Sequence, residues 1–340
     1  MKDAASAVLV AAVEGLELTP DEDRFFREES PAGVTLFRRN IPQQLYRGVA
    51  ILNQKLQETR PPGDPPLIIA VDQEGGRVAR FPATFPNRGP AMRLEGGHVD
   101  DSSLKRIRAY GQEVGAALKS VGVNVNFAPV VDILSEPTNH AIGDRCFGLT
   151  AEDVTKRAEA FLAGLQSERV MGCLKHFPGQ GDARVDTHVG SAAININLQT
   201  LLNRELVPFK ALAQKSHMVM ISHSIFPVLS DQEASRSRVI IMDWLRLRLG
   251  FRGVVVSDDM NMGALPQDIA DWKIALVDAM AAGCDALLVC QGLERCMAAL
   301  DALRAEARKS QVFASRLADA ASRVTAMRRG LEPPIFSVQV

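Results

Sequence analysis

Short apolar runs recur along the chain at residues 8–13, 33–37, 67–71, 123–127, 170–174, 218–221, 253–256 and 286–290. Each has strand length, and most are followed by a stretch whose apolar positions recur at helical spacing. The helical stretches are 43–57, 103–121, 151–167, 198–214, 238–249 and 268–282, with two more, about 293–307 and 311–329, closing the chain. Thr19-Pro20-Asp21-Glu22 reads as a helix start: Thr as cap, Pro in the first turn, and Glu three residues on to complete a capping box. The Pro- and Gly-rich segment 61–66 stops the helix before it, and 82–100 and 129–148 read as long loops.

Strand and helix in alternation predict parallel strands, and eight of them predict a closed barrel. The fold class expected is therefore α/β, a (β/α)8 barrel of the TIM type. An open doubly wound sheet is the alternative, but no GxGxxG opens a helix after a strand. Residues 1–340 are expected to form a single catalytic domain, with the helices at about 293–329 at its C-terminal end.

A parallel barrel brings every strand's C-terminal end to one face. Asp72 ends the third strand, Lys175 and His176 the fifth, His223 the sixth and Asp258 the seventh, so these residues are expected to converge. The segment 175–188 is the densest in chemistry: Lys175 and His176 at the strand end, then a Gly- and Pro-punctuated loop carrying Asp186 and His188. A carboxylate two residues before an imidazole can hold one ring nitrogen and leave the other for proton transfer. Asp258 and Asp259 follow the run Val254-Val255-Val256-Ser257. Adjacent strand residues point to opposite sides, so only one of the two is expected to face the cavity. Asp258 is the expected inward one, with Asp259 turned to a structural role.

Composition narrows the classes. With 39 basic and 40 acidic residues and a net charge of −1, nothing favours nucleic acid. No apolar run is long enough to cross a membrane. The apolar stretch near the N-terminus ends at Val13, which is short for a signal peptide. Five cysteines with no CxxC pair suit a reducing compartment, so a cytoplasmic location is expected.

Five motifs occur in order: Val71-Asp72-Gln73-Glu74-Gly75-Gly76-Arg77-Val78 with Arg80-Phe81; Ile142-Gly143-Asp144-Arg145; Lys175-His176-Phe177-Pro178-Gly179; Asp186-Thr187-His188; and Ser257-Asp258-Asp259-Met260. Together they resemble the bacterial β-N-acetylhexosaminidases (β-N-acetylglucosaminidases) of glycoside hydrolase family 3, the single-barrel type of cell-wall recycling, over roughly residues 8–300. The resemblance implies Asp258 as nucleophile, His188 as general acid/base and Asp186 as the partner that orients it. It implies Asp72, Arg80, Arg145, Lys175 and His176 as the sugar-binding set. The implied substrate is a non-reducing terminal N-acetylglucosamine, β-1,4-linked to anhydro-N-acetylmuramic acid, with or without peptide. No metal or organic cofactor is implied, the partner is a small-molecule sugar or muropeptide, and a monomer is favoured. Two departures stand out: Gln180 where many members carry His, and Gly143-Asp144-Arg145-Cys146 in place of the more usual Gly-Glu-Arg-Ser.

Three other functions fit parts of the pattern. A glycoside phosphorylase on the same scaffold would use phosphate in place of water. A barrel metallohydrolase would use His176, His188, His223 and an Asp, but lacks an HxH pair after the first strand. A non-catalytic sugar-binding relative is disfavoured by the presence of both Asp258 and His188.

Overall fold

The computed structural model describes residues 3–184, 186, 190 and 192–332. Eight parallel strands close into a barrel: Leu9–Ala11, Gly33–Leu36, Ile68–Val71, Val125–Asn126, Met171–Phe177, Met218–Ile221, Val254–Asp259 and Ala286–Leu288. The first pairs with both the second and the eighth, which closes the ring. The expected α/β barrel is the fold found.

Alternation along each strand sorts side chains into two cores. Val10, Ile68, Ala70, Val125, Cys173, Met218, Met220, Val254, Val256, Ala286 and Leu288 fill the barrel interior. Their neighbours Leu9, Val34, Leu36, Ile69, Val71, Leu174, Val219, Val255 and Leu287 pack outward into the larger cluster under the helices. Gly33 marks a close strand-to-strand approach: a Cβ there would lie 2.2 Å from the Ile68 carbonyl oxygen.

The helices differ from expectation mainly in their ends and pitch. Helix Pro20–Glu29 opens with the capping box, Thr19 accepting from the Glu22 N–H. Helix Ala151–Ser167 has the expected bounds. Helical spacing over 43–57 resolves into a 3-10 turn, Tyr46–Gly48, and the helix Val49–Glu58. Two stretches expected as ordinary helix are π-helical, Leu201–Glu205 and Val239–Arg248. Residues 82–100 include the 3-10 segment Ala91–Gly97. Two antiparallel hairpins escape the sequence pattern because their strands are only two to four residues long. One pairs Gln73–Gly75 with Val78–Ala79, and the other Ile225–Phe226 with Ser230–Glu233. Both stand at strand ends, the first beside Asp72 and the second just after His223.

Candidate active site

The mouth of the barrel holds a two-lobed cavity. The larger lobe, about 330 Å³, rests on the interior residues Phe127, Met220 and Leu288, with Phe37 and Met262 in its wall. The smaller, about 190 Å³, is lined by Arg77, Arg145, Lys175, His176 and Asp186. Asp72, Arg80 and Asp258 border both lobes. The barrel mouth thus brings together seven of the eight residues named from sequence as catalytic or sugar-binding: Asp72, Arg80, Arg145, Lys175, His176, Asp186 and Asp258. The eighth, His188, lies outside the described residues.

Charges in this mouth are laid in alternation. Lys175 Nζ, on the fifth strand, lies 2.7 Å from Asp72 Oδ1 and 2.6 Å from Glu74 Oε1. Arg145 donates from Nε and Nη2 to the two oxygens of Glu74, each at 2.8 Å. Arg80 Nη2 donates to Asp72 Oδ2 at 3.1 Å. Burial alone would push the Asp72 and Glu74 carboxyls up. The adjacent Lys175 with Arg80, and Arg145 with Lys175, overrule it and hold Asp72 well below the carboxylate range and Glu74 at about 2. Burial likewise works against the Lys175 charge, but Asp72 and Glu74 prevail and raise its pKa. These groups form a fixed array of alternating charges at the barrel mouth.

The two carboxylates of the seventh strand have different surroundings. Asp258 Oδ1 accepts the Asp259 N–H at 2.8 Å, and its side chain faces the wall common to both lobes. Asp259 borders only the larger lobe, and its Oδ1 accepts from Asn261 N, Asn261 Nδ2 and Cys290 N. Burial, with the neighbouring Asp258 charge, raises the Asp259 pKa.

Lys175 and His176 are adjacent yet both line the smaller lobe. The fifth strand loses its regular register against the sixth between Leu174 and Phe177, and such an irregularity re-aims side chains. The loop beyond packs closely. Gly181 has no room for a Cβ, which would fall 1.5 Å from the Ile133 carbonyl oxygen. Gly179 combines a φ of +127° with a Cβ position 2.8 Å from Glu205. Gln180 donates from Nε2 to Ser224 Oγ at 3.0 Å.

His223 departs from expectation, because it does not join the cavity. It is fully buried, with Nδ1 2.7 Å from Ser235 Oγ and Nε2 3.1 Å from the Asp259 carbonyl oxygen. Ser235 lies in the 3-10 turn Ala234–Arg236 that follows the second hairpin, and Asp259 on the seventh strand, and together they engage both ring nitrogens of His223. Burial lowers its pKa, although the nearby Asp258 charge works the other way. Among the described residues no group of three or more His, Cys, Asp or Glu is placed to hold a metal ion.

Two partners escaped the sequence reading. Glu74 stood in a recognised motif, but its pairing with Arg145 and Lys175 spans distant segments. Asp132 is a wholly buried carboxylate 2.7 Å from His176 Nδ1. Its signal was a single charge inside the run Val130-Val131-Asp132-Ile133-Leu134, since a charge in such a run must be paired.

Comparison with known proteins agrees with this geometry. The family model described as glycosyl hydrolase family 3 N terminal domain matches residues 12–327. The chain is 33% identical over 301 residues to a β-hexosaminidase of Idiomarina loihiensis, covering 87% of each. It superposes on a β-N-acetylhexosaminidase of Beutenbergia cavernae with a TM-score of 0.86 and 28% identity, covering 96% of this chain and 98% of that one. A family 3 β-N-acetylglucosaminidase of a Paenibacillus species gives a TM-score of 0.87 and 31% identity over 97% of this chain, which spans 63% of that longer structure. With the barrel, the ordered motifs and the match across most of its length, the chain belongs to the β-hexosaminidases of glycosyl hydrolase family 3.

Proposed function

We propose that the cavity binds the non-reducing terminal N-acetylglucosamine of a peptidoglycan fragment, β-1,4-linked to anhydro-N-acetylmuramic acid, and releases it with retention of configuration. The observation that carries this reading is the place of Asp258, a carboxylate on a rigid strand in the common wall of a cavity that ends on the barrel core. A cavity closed below admits a chain end, which supports exo action. Asp258 attacks the anomeric carbon and forms a glycosyl ester. His188 gives its proton to the departing oxygen, then takes one from the water that hydrolyses the ester. Asp186, which borders the smaller lobe, orients His188. Asp72, Arg80, Arg145, Lys175 and His176 take the sugar hydroxyls.

Water rather than phosphate is the favoured acceptor. Arg80, Arg145 and Lys175 are already paired with Asp72 and Glu74, and Arg77 with Asp144 at 3.5 Å, so little positive charge is left for an anion. Five free, buried cysteines support the cytoplasm as the site of action. The test is release of p-nitrophenol from the β-N-acetylglucosaminide and the β-glucoside, with and without phosphate. Preference for the acetamido sugar without phosphate stimulation is expected. Equal kcat/KM for the two sugars would remove the substrate assignment, and phosphate-dependent turnover would make the enzyme a phosphorylase.

A further inference from the structure

Asp132 borders neither lobe of the cavity, yet it holds the residue that does. Its Oδ2 lies 2.7 Å from His176 Nδ1, its Oδ1 accepts the Gln180 N–H at 2.6 Å, and the His176 N–H lies 3.2 Å from both oxygens. The segment carrying it is itself tied to the fifth strand, where the Val131 N–H donates to the Lys175 carbonyl at 2.8 Å. Three donors therefore meet one fully buried carboxylate, and the side chain that donates to it among the described residues is His176. A carboxylate so placed, away from solvent, is retained only if its hydrogen bonds are made.

The chemistry of the smaller lobe gives this contact a purpose. Arg77, Arg145 and Lys175 are donors without acceptor capacity, and Asp72 is already shared between Lys175 and Arg80. A sugar hydroxyl that accepts from one of these cations still has a proton to place. With Nδ1–H given to Asp132, the remaining ring nitrogen of His176, Nε2, carries the lone pair that can take it.

We propose that Asp132 is a positioning residue of the sugar site. It fixes the Nδ1–H tautomer of His176, so that Nε2 serves the smaller lobe as acceptor for a substrate hydroxyl. Through the Gln180 N–H it also anchors the loop leading to Asp186. The proposal rests on the reading that the cavity binds a sugar, but the tautomer itself can be measured without turnover.

The experiment has two arms on the full chain. In the first, histidine is labelled with ¹⁵N and the ring resonances of His176 are assigned by their loss in His176→Ala. The native protein is expected to show protonated Nδ1 and bare Nε2, with Nε2 shifting on addition of N-acetylglucosamine. Bare Nδ1 in the native protein would overturn the proposal, whatever the variants do. In the second arm, kcat/KM on the aryl N-acetylglucosaminide is compared for Asp132→Asn, His176→Ala and the double variant. Asp132→Asn is expected to lose about 10–100-fold, mostly through KM, as a misplaced binding group does. The double variant is expected to match His176→Ala within about twofold, because the two residues act as one unit. Losses that multiply would overturn the proposal and leave Asp132 a purely structural residue. An inactive native protein with the expected tautomer would refute the function proposed above and leave the Asp132–His176 relationship standing.

Discussion

Glu74 and Arg145 meet edge to edge in the barrel mouth, both carboxylate oxygens 2.8 Å from guanidinium nitrogens, with Lys175 Nζ 2.6 Å from one of the same oxygens. Glu74 is therefore unable to serve as a proton donor. A carboxyl held at about 2 by two cations is ionised throughout the working range and has no proton to give. Its task is to keep two buried cations in place. Glu74→Gln leaves both under-compensated, and breaking a buried pair of this kind costs about 3–5 kcal/mol. Urea denaturation at neutral pH should show a loss of that size. A change within about 0.5 kcal/mol, the range of a surface substitution, would mean the array is not under electrostatic tension.

The same array contributes to the loss of stability in acid. Asp72 and Glu74 have folded pKa values below their unfolded ones, so their contribution is full above the ordinary carboxylate range and is lost as pH falls toward about 2. Glu205 behaves oppositely. Burial, aided by the charges of Asp132 and Asp182, pushes it from 4.5 up to about 7, against the pull of Arg204 2.5 Å away. A raised folded pKa gives stability that is full below the unfolded value and is lost as pH rises through the folded one. Between pH 4.5 and 7 this one carboxyl therefore removes on the order of 3 kcal/mol. Urea midpoints taken from pH 5 to 8 should fall for the native chain and run flatter for Glu205→Gln. An unchanged slope in the variant would assign the titration to another group.

Much of this site could be read from the chain because strand ends converge by topology. Asp72, Lys175, His176 and Asp258 needed only the count of strands and the rule of one face. The spacing of Asp186 to His188 marked Asp186, and the resemblance added Arg80 and Arg145; all three lie in loops and hairpins where strand counting gives no direction. Partners were harder. Nothing local to Glu74 says that Arg145 will meet it, because that contact depends on how a loop after the fourth strand folds over a hairpin after the third. His223 shows the limit from the other side. Topology placed it at the right end of its strand, but Ser235, from the turn after the second hairpin, and the Asp259 carbonyl of the seventh strand hold its ring in the wall.

Asp258 and Asp259 offer a direct test of which carboxylate is covalent. Asp258→Asn should abolish capture by a 5-fluoro-N-acetylglucosaminyl inhibitor, read by intact-protein mass. Asp259→Asn should still be labelled. Asp259→Ala, which removes the acceptor, should lose about 1–2 kcal/mol, because Asp259 Oδ1 receives hydrogen bonds from Asn261 and Cys290. Labelling of the Asp258→Asn protein at the native rate would move the nucleophile elsewhere.

The proton donor is decided by leaving groups. With Glu74 held ionised and both nitrogens of His223 engaged in the wall, neither is placed to protonate a departing oxygen, and the proposal falls on His188. An aryl glycoside leaves as a stable phenolate and needs little help in the first step. The disaccharide with anhydro-N-acetylmuramic acid leaves as an alkoxide and needs the proton fully. His188→Ala should therefore lose about 10²–10⁴-fold on the disaccharide and much less on formation of the ester from the aryl substrate. The second step needs the same group as base for every substrate, so the ester should accumulate with the aryl glycoside and p-nitrophenol should appear in a burst. Asp186→Asn should give a milder form of the same pattern, since the imidazole remains but is less firmly oriented. Stopped-flow traces with both substrates make the comparison. Equal slowing of the two without a burst would make His188 a binding residue, and the acid would then have to reach the glycosidic oxygen from outside the strand-end set.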